Sequence, residues 1–373
     1  MTFVPTETQE LSGEARPTLI RPLRLAVFSY GLPRHGQQRG GIERVAHDLA
    51  NGLAQRGHEV VVWTHDPKPG GASYRVAELP WKSFATSALG RRLTMGYLGN
   101  LLAVLPRYGE VDAIIAHGDS LLLPLRGRRL LRVMHGSALA EAMTARSPWR
   151  CVLQAGVYLQ EIVTAATQRY CIGVSENCRR WNPFVRNYIP NGVDLRTFFP
   201  DPGAKTPYPS ILFVGAWGGR KRGAELQKWF HQHVRPRHPQ AELDMVCRPG
   251  PPSPGVNYHT GLTDSELAAL YRRAWVYASP SRYEGFGLPY LEAMASGTPV
   301  LATPNPGSRE LLGNGEFGLL ASDREFADRL AQLLDNEQNR RQLADRGLRR
   351  ALDYSLSRTI DRYEQLLCEL CKK

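Results

Sequence analysis

No apolar run in the 373-residue sequence reaches the ~18 residues that a membrane-crossing helix needs. The longest stretches, Leu98–Leu105 and residues 151–166, are too short or are interrupted by Gln154, Gln160 and Glu161. Residues 1–22 lack a basic segment leading into an apolar one and contain Pro5, Pro17 and Pro22. They read as a disordered leader rather than a signal peptide. Cysteine is scarce, and its six positions show no paired metal-ligand spacing. Cys368 and Cys371 form a C-x-x-C at the C-terminus with no second half, so a reduced cytoplasmic protein with inert thiols is expected. Negative charge is also short, with 35 Asp plus Glu against 47 Lys plus Arg, a net +12. That excess predicts an anionic partner: nucleic acid, a membrane surface or a phosphorylated ligand. The remaining composition, 42% hydrophobic and 22% charged, excludes disorder, collagen and coiled coil.

The length suits roughly two domains, each able to bury a core. Strand-like and helical stretches alternate throughout, as in an α/β protein with parallel sheets. Leu23–Ser29, Glu59–Thr64, Val111–Ala116, Leu130–Met134 and Tyr170–Val174 read as strands, with a helix over Ile42–Arg56 stopped by Gly57. The stretch Leu195–Pro209 has four prolines and little periodicity, as linkers do. A second series follows: Ile211–Val214, Leu243–Val246, Trp275–Ala278 and Val300–Thr303. The last helical stretch, Leu356–Leu370, comes after both series and can pack on either half.

The stretch Pro280–Pro299, PSRYEGFGLPYLEAMASGTP, joins a strand to a helix through a glycine-containing loop. In an open parallel sheet ligands bind beyond the strand C-termini. Gly285 and Gly287 allow backbone N–H groups to approach an anion, and the helix adds its positive end. Glu284 and Glu292 are too far apart along one helix for a catalytic pair and bracket one ligand instead. On spacing alone an ordinary strand–turn–helix connection with a solvated Glu292 is as good a reading.

Taken whole, this stretch resembles the hallmark of the family-four retaining glycosyltransferases, P-S-x-x-E-G-F-G-L followed by E-A-M-A-x-G-x-P-V. The G-G-I-E-R-V of Gly40–Val45, the R-N-Y-I-P-N-G-V-D of Arg186–Asp194 and Phe213-Val-Gly215 before a basic loop fall in the same order as in that family. The resemblance covers nearly all of residues 23–370. It implies the GT-B fold, two Rossmann-like domains with parallel sheets facing across a cleft. Residues 23–195 would then bind the acceptor, 196–355 the nucleotide sugar, and 356–373 would cross back to the N-terminal domain.

The resemblance also assigns roles. Arg220 and Lys221 would stabilise the leaving diphosphate, with Arg222 as runner-up; planar Arg forks and Lys point charges both suit phosphate. The family has V-G-R and a later K-G; here Ala216 replaces the Arg and K-R-G the K-G. His135 would contact the donor sugar, and Glu284 its hydroxyls. Glu292 would accept the ribose hydroxyls, and Phe286, Gly287 and Leu288 would present N–H groups to the diphosphate alongside Gly285. Gly40 and Gly41 open the first helix and could lie against the same diphosphate. His117 and Asp119 are candidates for the acceptor pocket, and Glu310 for a supporting role. No cofactor or metal is expected, because cations and a helix end neutralise the phosphates.

The expected partners are a nucleotide sugar (UDP or GDP) and a saccharide, a lipid-linked saccharide or a small molecule as acceptor, in polysaccharide or lipopolysaccharide assembly or on a small natural product. A nucleic-acid binder is suggested by charge alone, but the basic residues are spread and carry no binding signature. A catalytically dead scaffold is disfavoured by His135, Glu284, Glu292 and the basic loop together. Residues 1–200 hold 24 Lys plus Arg and 15 Asp plus Glu, net +9, while residues 201–373 hold 23 and 20, net +3. The excess therefore sits in the half expected to meet the acceptor, which points to an anionic acceptor or an anionic membrane surface on the inner face.

Overall fold

The computed structural model describes residues 21–33, 40–87, 99–118, 120–123, 129–144 and 148–372. Its strands form two separate parallel sheets. The first contains β1 (Arg24–Phe28), β2 (Glu59–Thr64), β3 (Arg75–Glu78), β4 (Ala113–His117), β5 (Leu130–Met134), β6 (Cys171–Gly173) and β7 (Asn187–Tyr188). The second contains β8 (Ser210–Val214), β9 (Glu242–Val246), β10 (Val256–His259), β11 (Val276–Ser279), β12 (Val300–Ala302) and β13 (Leu319–Leu320). Spatial order is β3-β2-β1-β4-β5-β6-β7 in one and β10-β9-β8-β11-β12-β13 in the other. In each sheet the order reverses beside the first strand, at β1/β4 and at β8/β11, where α/β sheets hold ligands.

The helices of the N-terminal half are α1 (Gly41–Gln55), α2 (Lys82–Thr86), α3 (Gly99–Val104), α4 (Ala138–Thr144), α5 (Pro148–Thr167) and α6 (Glu176–Trp181). Those that follow are α7 (Gly223–Trp229), α8 (Asp264–Arg273), α9 (Leu288–Ala295), α10 (Pro306–Leu311), α11 (Phe326–Asp335), α12 (Glu337–Leu352) and α13 (Leu356–Lys372). Side chains of β1 alternate between two cores. Leu25 and Val27 join Val60, Val62, Ala113 and Ile115 on one face, while Ala26 and Phe28 join Ile114 and Ala116 on the other. A strand buried on both faces has to be apolar throughout, which is why β1 and β4 read as continuous runs.

The chain returns at its end to the first half. Val193 bridges Ser355, and a Cβ on Gly192 would lie 2.5 Å from the Leu356 Cα, so the Asn191-Gly192-Val193 motif is where the returning chain is clamped. Beyond it α13 lies on α1, with Ile360 filling the space above Gly52. Arg56 holds Glu364 and Asp361, each at 2.6 Å. His58 Nδ1 accepts the Leu23 N–H, which leaves its Nε2 to donate to Glu364 at 3.1 Å.

The structure departs from the sequence reading in several places. Four strands, β3, β7, β10 and β13, were not expected. Strand β4 starts two residues later and runs one residue further than the stretch Val111–Ala116, beginning at Ala113 and ending on His117. Residues 1–20 of the expected leader lie outside the described residues, but Arg21 is held by Asp112 at 2.7 Å.

Candidate active site

The motif residues gather at the C-terminal ends of strands at or beside the two switch points. Gly40 and Gly41 follow β1, His117 ends β4 and His135 follows β5; in the other half Gly218–Gly223 follow β8 and Glu284–Leu288 follow β11. Glu284 is buried at 6% exposure. Lys221 Nζ lies 2.6 Å from its Oε1, and Arg220 Nη1 lies 3.2 Å from Oε2. The Arg282 N–H donates to the Arg220 carbonyl at 2.9 Å, tying the basic turn to the β11 loop. Burial works against the Glu284 charge, but Lys221 and Arg220 outweigh it and hold the carboxyl below its ordinary value.

Glycine is required twice here. A Cβ on Gly215 would meet the Phe213 ring at 2.9 Å and Lys221 Cβ at 3.2 Å, so Gly215 leaves room for both side chains. Gly287 caps α9 at φ 101°, in the left-handed region, and a Cβ there would also strike the Tyr290 ring at 2.4 Å. Two cations therefore meet one carboxylate on the loop that leads into the positive end of α9. The surplus is positive, which suits a group that gains negative charge during reaction.

Arg222 does not belong to this cluster. Its backbone is left-handed at φ 59°, and its guanidinium lies over Trp229 and against Asp323 at 2.6 Å. The third cation of the turn holds the start of α7 to the loop before α11.

His135 meets His117. The His117 Nδ1 and His135 Nε2 are 2.9 Å apart, with ring centroids at 5.1 Å and planes 28° apart. Only one proton can lie between them, so doubly charged rings cannot keep this contact. The His117 Nε2 is buried without a partner among the described residues, which is cheaper for a bare nitrogen than for an N–H. The network thus favours His117 donating from Nδ1. Burial pushes His135 down to about 4 and His117 well below its ordinary value, the second helped by its neighbour.

The two halves touch beside these histidines. A methyl group on Gly285 would sit 2.4 Å from the His135 carbonyl oxygen. The Ser137 N–H donates to Tyr283 Oη at 3.1 Å, and Ser175 Oγ donates to the Gly285 carbonyl at 2.8 Å. Tyr283 and Ser175 were not singled out by any motif.

Glu292 is placed differently from expectation. It is neither solvated nor open to the cleft, being 4% exposed. One carboxylate oxygen takes Arg44 of α1 at 3.1 Å and the other accepts the Tyr271 hydroxyl at 2.9 Å. Burial raises the Glu292 carboxyl, and Arg44 only partly offsets this. Arg44 also reaches Asp264 at 3.1 Å and lies over the Phe198 ring. It stands inside the G-G-I-E-R-V segment on the polar face of α1, with His47, Asp48 and Asn51, so no local pattern marked it.

Other expected residues sit apart from Glu284. Phe286 is 5% exposed and packs against Tyr354. Gly41 has open space above it, whereas the Glu43 carboxylate folds back over Gly40, leaving Gly41 the better placed of the two for an anion. Glu310 accepts the Glu176 N–H at 3.0 Å and so ties α10 to α6 instead of supporting the carboxylates near β11. Asp119 lies outside the described residues. Among the described residues no group of three or more His, Cys, Asp or Glu is arranged to hold a metal ion.

The family model for glycosyltransferase family 4 covers residues 39–197, and that for glycosyl transferases group 1 covers residues 252–350. A D-inositol 3-phosphate glycosyltransferase of Corynebacterium efficiens is 32% identical over 384 residues, spanning 88% of this chain and 90% of that one. The chain belongs to the group 1 glycosyltransferases. An MMP alpha-(1->4)-mannosyltransferase of Mycolicibacterium hassiacum is 33% identical over 189 residues, a match that spans only 45% of its length and 46% of this chain. The solved structure of Anabaena Alr3699/HepE in complex with UDP and glucose superposes with a TM-score of 0.71 at 17% identity, over 93% of this chain and 99% of that one. The glycosyltransferase has the GT-B fold, two parallel-sheet α/β halves whose switch points face each other.

Proposed function

We propose that this glycosyltransferase moves a sugar from a nucleotide-diphosphate sugar to a hydroxyl of a saccharide or lipid-linked saccharide, with retention of configuration and without a metal ion. The observation that carries the reading is Glu284 held between Lys221 and Arg220 at the end of β11, opposite His135. In this reading the two cations and the α9 terminus receive the diphosphate as it departs, when its charge rises. Glu284 accepts hydroxyls of the transferred sugar, and His135 meets that sugar from across the cleft. The bond from the anomeric carbon to phosphate oxygen breaks, and the acceptor oxygen bonds on the same face. The acceptor proton passes to the leaving phosphate oxygen. Neither carboxylate serves as nucleophile, since Glu284 is paired with two cations and Glu292 is enclosed by Arg44 and Tyr271.

The UDP and glucose of the HepE complex support a nucleotide-sugar donor for this chain. The +9 balance of residues 1–200 favours an anionic acceptor, in keeping with the inositol phosphate in the name of the Corynebacterium relative. A thermal-shift panel of UDP, GDP, ADP and dTDP sugars tests the donor, followed by transfer assays with phosphorylated and neutral acceptors in EDTA. A rise in melting temperature with one sugar nucleotide, and loss of transfer in Glu284→Ala and Lys221→Ala, is expected. The reading fails if no sugar nucleotide stabilises the protein or if both variants transfer normally.

A further inference from the structure

Helix α5 presents an apolar stripe to the surface. Its exposed residues from Cys151 to Thr167 are Val152, Ala155, Leu159, Val163, Ala166 and Thr167, all but one apolar and spaced three or four apart on one face. Val152 and Leu159 are 64% and 63% exposed. Gln154, Gln160 and Glu161 of the same helix face the protein instead. Gln154 donates to Glu141 at 3.3 Å, Gln160 accepts from Asn100 at 3.1 Å, and Glu161 accepts the Ala138 N–H at 3.1 Å. Met143 of α4 and Phe184 add to the exposed apolar surface. A surface helix ordinarily does the reverse, so a contiguous apolar face marks contact with something other than water.

Charge identifies what covers it. Ala166, Arg169, Phe184 and Arg186 line one groove of about 580 Å³ at the C-terminal end of α5, and Arg180 is exposed on the adjoining segment. One exposed acid, Glu369 of α13, lines the same groove, so its arginines, Arg169 and Arg186, outnumber its acids two to one. No helix among the described residues is long and apolar enough to cross a membrane. We propose that this face of the N-terminal half rests on an anionic lipid bilayer, with the α5 stripe in the interface and Arg169, Arg180 and Arg186 on the headgroup phosphates. A second copy of the chain fits less well, because it offers Arg169, Arg180 and Arg186 no matching array of anions, whereas a headgroup layer does. The proposal goes beyond the donor and acceptor reading and does not rest on it.

Vesicle co-sedimentation of the full chain tests it, using phosphatidylcholine alone or mixed with phosphatidylglycerol, with light scattering for mass in solution. The wild type should pellet with the anionic vesicles, less so at high salt, and remain a monomer without them. Leu159→Glu with Val163→Glu should weaken partitioning by about tenfold or more. Arg169→Glu with Arg186→Glu should weaken it by at least roughly fivefold per arginine while melting as the wild type does. The neutral pair Leu159→Gln and Val163→Thr gives the same reading if the glutamates disturb folding. The proposal is overturned if the wild type ignores anionic vesicles, if the stripe variants pellet like wild type, or if the wild type is a dimer that the stripe variants dissociate.

Discussion

Arg44 and Glu292 stand 3.1 Å apart across the two halves, and both side chains are almost withdrawn from water, at 12% and 6% exposure. Burial opposes the guanidinium charge, but Glu292, Asp48 and Asp264 outweigh it and raise Arg44 above its ordinary value. A carboxylate expected to greet a ribose is thus first a fastening between α1 and α9. Arg44→Met leaves Glu292 buried with Tyr271 as its remaining described partner, and should cost about 3–5 kcal/mol of stability. Adding Glu292→Gln to that variant should recover much of the loss. A double-mutant cycle by urea denaturation measures the coupling, and additive effects would show that the contact carries no energy.

The basic turn should divide into a catalytic pair, Arg220 and Lys221, and one structural residue, Arg222. Lys221→Ala removes the 2.6 Å partner of Glu284 and should lower kcat by about 10²–10³, as loss of one transition-state donor does. Arg222→Ala removes the bond to Asp323 and the cover over Trp229, so its effect should fall on melting temperature. Its kcat/KM should stay within about twofold of wild type. Equal losses of activity in the two variants would place Arg222 back in the site.

Acid should weaken the fold earlier than carboxylate protonation alone explains. Both imidazoles of the His117–His135 pair are held below the ordinary 6.5, His135 at about 4. Between those values the unfolded chain binds protons that the native chain refuses, so stability is full above pH 6.5 and falls as pH drops toward 4. Glu284, also lowered, adds to the loss further down. Glu292 and Glu310, both raised by burial, act in the opposite direction as pH climbs past 4.5. Urea midpoints from pH 8 to 5 should decline below 6.5, and His117→Asn with His135→Asn should flatten that decline. An unchanged slope in the double variant would mean that other groups take up the protons.

What the sequence disclosed follows from burial. Strands β1, β4, β5, β8, β11 and β12 lie inside their sheets and read as apolar runs, because both faces must be covered. The four strands that escaped, β3, β7, β10 and β13, are the four sheet edges, and none of their residues is buried. An edge strand two to four residues long carries no period to detect. The loops after the switch-point strands were legible from their glycines and charges, which brought Glu284, Lys221, Arg220 and His135 onto the page. Partnerships across the cleft were not. Nothing local couples Arg44 to Glu292, Ser175 to Gly285 or Glu310 to Glu176, since each depends on how one half sits against the other.

That seating gives the last expectation. Gly285 has an ordinary backbone, so alanine there is not strained by φ; the obstacle is the His135 carbonyl oxygen 2.4 Å from the added carbon. The obstructing atom is backbone and cannot rotate aside, so the halves must separate at the point where His135 faces Glu284. Gly285→Ala should therefore lower kcat/KM by about 10²-fold, the scale of a 1 Å misplacement of catalytic groups. Its melting temperature should change far less than that of Arg44→Met. Ser175→Ala loses one hydrogen bond to the same loop without any clash, and should cost only about 0.5–1.5 kcal/mol. Steady-state kinetics on both variants, with small-angle scattering to detect opening, decides the matter. A Gly285→Ala enzyme with wild-type kcat/KM would show that transfer does not need the halves in this contact.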